Sequence, residues 1–334
     1  MAARKIVCLP GDGIGPEVTA EAVRVLEALP LEVEVSEHPF GGAAIDAVGE
    51  PLPAETLEAC RGADAVLLGA VGGPKWDGGA VRPEQGLIGL RKELDVYANL
   101  RPALGEGVDL LIVRELVGGL YYGARGTRED GTVFDTCEYH PDQVERVARR
   151  AFELARSRSG RLLSVDKANV METSRMWRRV VSSLASDYPE VELRHGLVDS
   201  VGMQLVVDPY SFDTLVMENT FGDILSDVAA GVTGGLGLAS SASLGDRNPG
   251  IFEPVHGSAP DIAGTGAANP TAMLRSLALL LEHGLGEPRL ARSLEAAVTR
   301  ALDSSPTIDL GGLATTSEFG SAVLEALEAE VVAL

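Results

Sequence analysis

The chain has 334 residues, room for about two domains, of which 45% are hydrophobic and 23% charged. With 49 acidic against 28 basic residues the net charge is −21, which argues against nucleic acid and anionic membrane surfaces as partners, because both demand basic patches. Cys8, Cys60 and Cys137 are too few and too widely spaced for a disulfide framework or a zinc site. The longest apolar helical stretch, around Leu277 to Leu281, is too short to cross a bilayer. The N-terminal residues show no signal-peptide pattern, so a soluble, cytoplasmic protein is expected.

Strand and helix patterns alternate along the chain. Lys5 to Leu9 reads as a strand closed by Pro10-Gly11-Asp12-Gly13, and Val18, Ala22, Val25, Leu26 and Leu29 then recur at helical spacing. Leu31 to Val35 alternates like a strand; Ala65 to Leu68, Leu110 to Val113, Leu162 to Val165 and Thr214 to Met217 are apolar runs of strand length. Val144 to Ala155 is helical, as are 270–283, 289–302 and 317–331. The alternation predicts an α/β architecture with a substantial parallel component. Two domains without a linker suggest a domain that the chain leaves and re-enters. The stretch 118–140, rich in Gly, Tyr, Thr and charge, lacks core periodicity and reads as a surface arm or hairpin for assembly.

The turn Gly11-Asp12-Gly13-Ile14-Gly15-Pro16 resembles a dinucleotide fingerprint with acids about 20 residues on. Pro16 stands where that fingerprint needs its third glycine, and proline suits the first turn of a helix instead. Glu84, Leu87, Ile88 and Arg91 share one helical face, a combination that suits a ligand with an apolar branch and a carboxylate, or a plain amphipathic helix with charged ends. Arg101 and Arg114 add two guanidiniums, which bind carboxylates bidentately. In Phe221-Gly222-Asp223-Ile224-Leu225-Ser226-Asp227 two aspartates four apart project from one helix face. Hard oxygen donors there suit Mg²⁺ or Mn²⁺. The same spacing also fits an acid facing the helix dipole and another paired to a surface base.

Six motifs occur in order: Leu9 to Glu17, Asn99-Leu100-Arg101-Pro102, Val113-Arg114-Glu115-Leu116, Val165-Asp166-Lys167-Ala168-Asn169-Val170, Phe221 to Asp227, and Glu253-Pro254-Val255-His256-Gly257-Ser258-Ala259-Pro260-Asp261-Ile262-Ala263-Gly264. Together they resemble the β-decarboxylating dehydrogenases of the isocitrate/isopropylmalate family, essentially end to end. The resemblance implies a non-Rossmann two-domain fold. A large cofactor-binding domain (1–97 and 234–334) would enclose an inserted substrate and dimerisation domain (98–233). It implies a homodimer with shared active sites. NAD would be held by Ile14, by His256, Gly257, Ser258, Ala259, Pro260, Asp261 and Ile262, and by Asn269. Mg²⁺ or Mn²⁺ would be held by Asp223 and Asp227, with Asp199 from the partner. Arg91, Arg101 and Arg114 would meet substrate carboxylates. Tyr121 would be the catalytic tyrosine, and Lys167 the catalytic lysine lent by the partner. A lysine near a cation has its pKa lowered and can accept the hydroxyl proton.

Within the family, Leu87 and Ile88, with Val170 from the partner, imply a branched apolar substrate, isopropylmalate, rather than isocitrate; D-malate or tartrate enzymes are the nearest alternative. A silent regulatory subunit would be expected to lose these ligands, and all are present. Asp261 and Ile262 stand where NADP-using members carry Lys and Tyr, which implies NAD. Three stretches depart from the family pattern: the short 103–107 connection, the arm 123–139, and Met217-Glu218-Asn219 beside the acidic helix.

Overall fold

The computed structural model describes residues 3–105 and 107–331. Glu106, within the short 103–107 connection, and Met1 and Ala2 of the N-terminal lead lie outside the described residues. The chain forms two compact units: it leaves the first after Asp95 and re-enters it at Leu236, and Val96–Gly235 make the second.

The leading segment holds β1 (Arg4–Gly11), α1 (Gly15–Ala28), β2 (Val33–Glu37), α2 (Gly41–Val48), α3 (Ala54–Arg61), β3 (Ala65–Ala70) and α4 (Pro83–Glu93). Pro16 sits in the first turn of α1 and Glu17 beside it faces the positive end of the dipole. β3 is buried along its whole length, as expected of a parallel strand covered on both faces. β2 runs over 33–37 rather than 31–35. It is a partly exposed edge strand whose register is set by parallel pairing of Arg4 with Val33, and exposed alternation constrains register weakly.

The second unit holds β4 (Ala98–Gly105), β5 (Val108–Glu115), β6 (Arg125–Thr127), β7 (Val133–Asp135), α5 (Pro141–Ser157), β8 (Arg161–Asp166), α6 (Glu172–Leu184), β9 (Glu192–Leu197), α7 (Val198–Val207), β10 (Thr214–Met217) and α8 (Asn219–Val232). Its strands lie in the order β4-β5-β10-β8-β9, antiparallel at β4–β5 and parallel elsewhere. Val165, Leu215 and Met217 of the strands pack with Val201 and Leu205 of α7 and Leu225 and Ala229 of α8. The apolar stripe of α5 is buried through Val144, Val147, Ala151 and Phe152, which stacks on Tyr188 at 4.7 Å. The arm contains a separate two-stranded hairpin, β6–β7.

The returning segment supplies β11 (Ser240–Leu244), β12 (Gly250–Pro254), α9 (Thr271–Leu279), α10 (Pro288–Ser304) and α11 (Thr316–Val331). The strands of the first unit run β2-β1-β3-β12-β11, with β11 antiparallel to β12. The helix expected over 270–283 is α9 followed by a wide π-type turn at Leu280–Gly284.

Candidate active site

The C-terminal end of β10 runs directly into α8. Glu218, buried, caps this helix by accepting the Phe221 N–H at 2.8 Å. Asp223 therefore lies one turn inside α8 rather than at its start. Asn219 accepts from Arg114 Nε (3.0 Å) and Nη2 (2.7 Å), and Arg114 Nη1 bonds Asp223 Oδ1. Arg101 donates from Nε to Asn99 (2.8 Å) and from Nη1 to Ser226 (2.7 Å), and stands 3.4 Å from both Asp223 and Asp227. Tyr121 Oη donates to Asp223 Oδ2 at 2.9 Å, and Arg114 lies 5.8 Å from its ring centre.

The burial is uneven in a useful way. The Arg101 and Arg114 side chains are 10% and 4% exposed, whereas Asp223 and Asp227 are 35% and 53% exposed. The guanidiniums are locked from below by neutral partners while the carboxylates open outward. Burial raises the Asp227 carboxyl and the neighbouring Asp223 adds to this, with Arg101 opposing. Burial and Asp223 likewise raise the Tyr121 hydroxyl, keeping it a proton donor at neutral pH. Asp223 and Asp227 supply the hard oxygen donors that a divalent cation prefers.

Among the described residues no three metal-ligating side chains converge. Asp199, in the first turn of α7, instead holds Lys167 Nζ at 2.5 Å, and that bond lowers the Asp199 carboxyl. Val170 nearby in sequence is 65% exposed. Lys167 and Asp199 are thus brought together, but not onto the α8 aspartates.

In the first unit, α4 buries Pro83, Gly86 and Leu90, exposes Glu84 and Ile88 (Ile88 41%), leaves Leu87 half-buried and keeps the Arg91 side chain largely covered, at 13% exposure. Arg91 Nη2 bonds Glu253 at 2.6 Å, while its buried Nε has no acceptor. The glycine turn is not a phosphate cradle. A Cβ at Gly13 would lie 2.0 Å from the Ser258 carbonyl, and the Ile14 N–H donates to that carbonyl at 2.8 Å. The turn thus carries the loop 256–262, and Glu17 fastens the loop's far end by accepting the Gly264 and Gly266 N–H groups. Ala259 there has a positive φ of 37°, a conformation that costs energy outside glycine. His256 Nδ1 bonds the Gly257 carbonyl, and burial lowers the imidazole pKa. Its Nε2 is buried without a partner, which fits a ring or hydroxyl of a bound dinucleotide. Pro260, Asp261 and Ile262 are exposed on this loop. Asn269 accepts the N–H of Thr271, the first residue of α9, and donates to Asp309.

Sequence reasoning missed Asn219, Asn99 and Ser226, which orient the arginines, and Glu253, which holds Arg91. It also missed Asp12, whose buried carboxylate accepts N–H groups from Gly42, Ala43 and Gly72. Small polar side chains carry no periodic signal; only their place inside quoted motifs hinted at a role.

A family model described as isocitrate/isopropylmalate dehydrogenase matches residues 5–323. The chain is 51% identical to the 3-isopropylmalate dehydrogenase of Zymomonas mobilis, over 97% of this chain and 99% of that protein. It is 52% identical to the enzyme of that name from Deinococcus radiodurans, over 97% of each. Among solved structures it is similar to isocitrate dehydrogenase from Methylococcus capsulatus, with 39% identity, a TM-score of 0.91 and coverage of 97% and 99%. The chain belongs to the isocitrate/isopropylmalate dehydrogenase family and has its α/β fold.

Proposed function

We propose that this chain catalyses the NAD-dependent oxidative decarboxylation of (2R,3S)-3-isopropylmalate to 2-oxo-4-methylpentanoate and CO₂, a step of leucine biosynthesis. The observation that carries this is the α8 aspartate pair set against Arg101, Arg114 and Tyr121, in a chain half identical over its length to 3-isopropylmalate dehydrogenases.

Arg91, Arg101 and Arg114 bind the two carboxylates, and Leu87 and Ile88, with Val170 of the partner subunit, receive the isopropyl group. Lys167 of the partner accepts the 2-hydroxyl proton. Tyr121, whose hydroxyl stays protonated, delivers a proton to carbon after CO₂ leaves. Asp223 and Asp227, with Asp199 of the partner, hold Mg²⁺ or Mn²⁺; Ile14, the 256–262 loop and Asn269 hold NAD. When bound, NAD supplies the hydride acceptor and the cation an electrophile for developing negative charge. The exposed Asp261 carboxylate accepts ribose hydroxyl bonds and repels a 2′-phosphate.

Assembly as a homodimer is part of this reading. α7 and α8 expose Met203, Val206, Val207 and Ile224 at 57% or more, an apolar face of the kind that marks an interface. Lys167 and Asp199 are bonded to each other and apart from the α8 pair, which supports the reading that they serve a second copy. No described helix is long and apolar enough to cross a membrane, and the charge of −21 disfavours nucleic acid as a partner. A cytoplasmic location completes the proposal.

The test is NADH formation with isopropylmalate, D-malate and isocitrate side by side, with Mg²⁺ present. Isopropylmalate is expected to give the highest kcat/KM. Preference for either competitor overturns the substrate, and no NADH from any of the three overturns the activity.

A further inference from the structure

Behind Arg114 lies a second tyrosine that the proposed chemistry does not use. Tyr139 Oη lies 3.1 Å from Glu115 Oε2 and 3.2 Å from Glu218 Oε2, and it accepts the Asn219 N–H at 3.0 Å. Both carboxyls are buried, at 0% and 7% exposure. Room for the ring is kept by glycine. A Cβ at Gly118 would come within 2.5 Å of the ring, and one at Gly119 within 2.6 Å of the hydroxyl. Trp177 packs edge-on against the other side at 6.0 Å.

The hydrogens do not balance if both glutamates are ionised. A phenol has one proton to donate, and here two carboxylate oxygens compete for it. One buried carboxylate would then face the phenol oxygen lone pair to lone pair, an arrangement that a dry site penalises heavily. One added proton closes the count. A protonated carboxyl donates to Tyr139 Oη, which also accepts from Asn219 and donates to the other carboxylate. Glu115 already accepts an N–H on each oxygen, from Val117 and Gly118. The cap bond of Glu218 falls on Oε1, leaving Oε2 turned to Tyr139.

We propose that Glu115 and Glu218 share one proton through Tyr139, and that Tyr139 is thereby a positioning residue for the substrate-binding arginine Arg114. The link is short. Tyr139 and Glu218 fix the first turn of α8, and Asn219 in that turn grips Arg114 through two N–H bonds while its own amide donates to the Gly118 carbonyl. The charged and titratable groups facing the pair are Arg146 from α5, Arg114 from β5, and Tyr121 and Cys137 from the arm. Asp166, across a small cavity from Tyr139 and Glu218, is neutralised by Arg178. Two arginines favour one negative charge on the pair rather than none. Burial holds both carboxyls up, Glu115 to about 7, which agrees with a retained proton; interacting sites titrate as a pair.

Only the kinetic arm of the test rests on the proposed function. Infrared difference spectra of the protein without ligands, recorded from about pH 5 to about pH 8, are expected to show a protonated-carboxyl band that fades as pH rises. Glu218→Gln places an amide N–H where the acid O–H stands and is expected to remove that band. In the wild type the isopropylmalate KM is expected to rise as the pair loses its proton over the same range, because Arg114 loses its alignment, and Glu218→Gln is expected to flatten that rise. Tyr139→Phe is expected to raise the isopropylmalate KM about ten-fold, with the NAD KM unchanged, because the arginine loses its alignment. A wild-type spectrum without the band overturns the shared proton; a water in the cavity of about 10 Å³ beside Tyr139 and Glu218 would then be the missing donor. A wild-type KM in folded Tyr139→Phe overturns the positioning role. Should that variant not fold, the KM profile of Glu218→Gln decides. If isopropylmalate is not turned over at all, the functional reading has failed and the infrared spectra still decide the proton.

Discussion

Replacing each α8 aspartate by asparagine separates metal binding from structural support. Asp223 bonds Arg114, accepts from Tyr121 at 2.9 Å and stands 3.4 Å from Arg101. Asp227 stands 3.4 Å from Arg101 and is 53% exposed. Asparagine keeps one oxygen acceptor at either position but loses the charge. At Asp223 the loss removes an ion pair from a guanidinium that is 4% exposed and that Asn219 also holds. A charge-assisted hydrogen bond is worth about 1.5–3 kcal/mol, and the retained neutral acceptor recovers about half of that. Asp223→Asn should therefore cost about 0.8–1.5 kcal/mol, which for a chain of this size lowers Tm by about 1–2 °C. Asp227→Asn is an exposed change worth about 0–0.5 kcal/mol. Both variants should lose at least about 100-fold in kcat, since each removes a metal ligand. Thermal melts without metal, followed by NADH assays across a Mg²⁺ titration, read the two effects independently. Equal Tm values for the two variants would refute the support assigned to Asp223; near-normal turnover of either at low Mg²⁺ would refute its role as a ligand.

Cofactor preference should favour NAD over NADP in kcat/KM, and Asp261→Lys should narrow the gap; a wild-type preference for NADP contradicts the reading of the exposed Asp261. Leu87→Ala should lower kcat/KM for isopropylmalate by about ten- to a hundred-fold and leave D-malate almost unchanged, because only the former buries a branch. Equal losses on both substrates count against Leu87 as a wall of the pocket. Mixed and refolded Lys167→Ala and Tyr121→Phe chains should recover activity that neither homodimer has; verified heterodimers without recovery would sink the shared site. Stability should depend on pH through the Glu115–Glu218 pair. Burial raises both folded carboxyls above their ordinary range, Glu115 to about 7, so the pair's contribution is complete below about 4.5 and the part owed to Glu115 is lost as pH rises through about 7. Melting temperature should thus fall across that window in the wild type, more steeply than in Glu218→Gln, and parallel curves would argue against a titrating pair.

Local sequence determined much of this protein. Hydrophobic runs marked β1, β3, β5, β8 and β10, because a strand covered on both faces must be apolar along its length. The i, i+4 spacing put Asp223 and Asp227 on one face of α8 before any fold was known. Proline at position 16 argued against a Rossmann turn, and the contact of Gly13 with Ser258 supplies the physical reason the glycines are there. Tertiary structure decided the rest. β4 escaped the pattern because its buried face carries Asn99 and Arg101, polar groups tolerated only where partners meet them. The Met217-Glu218-Asn219 departure turned out to cap α8 and align Arg114, a role that depends on Tyr139 arriving from 79 residues away. Sequence spacing conveys direction along one element; it carries no information on which distant side chain will supply the missing hydrogen. That pairing exists only once the chain has folded and desolvation makes every unpaired polar atom costly.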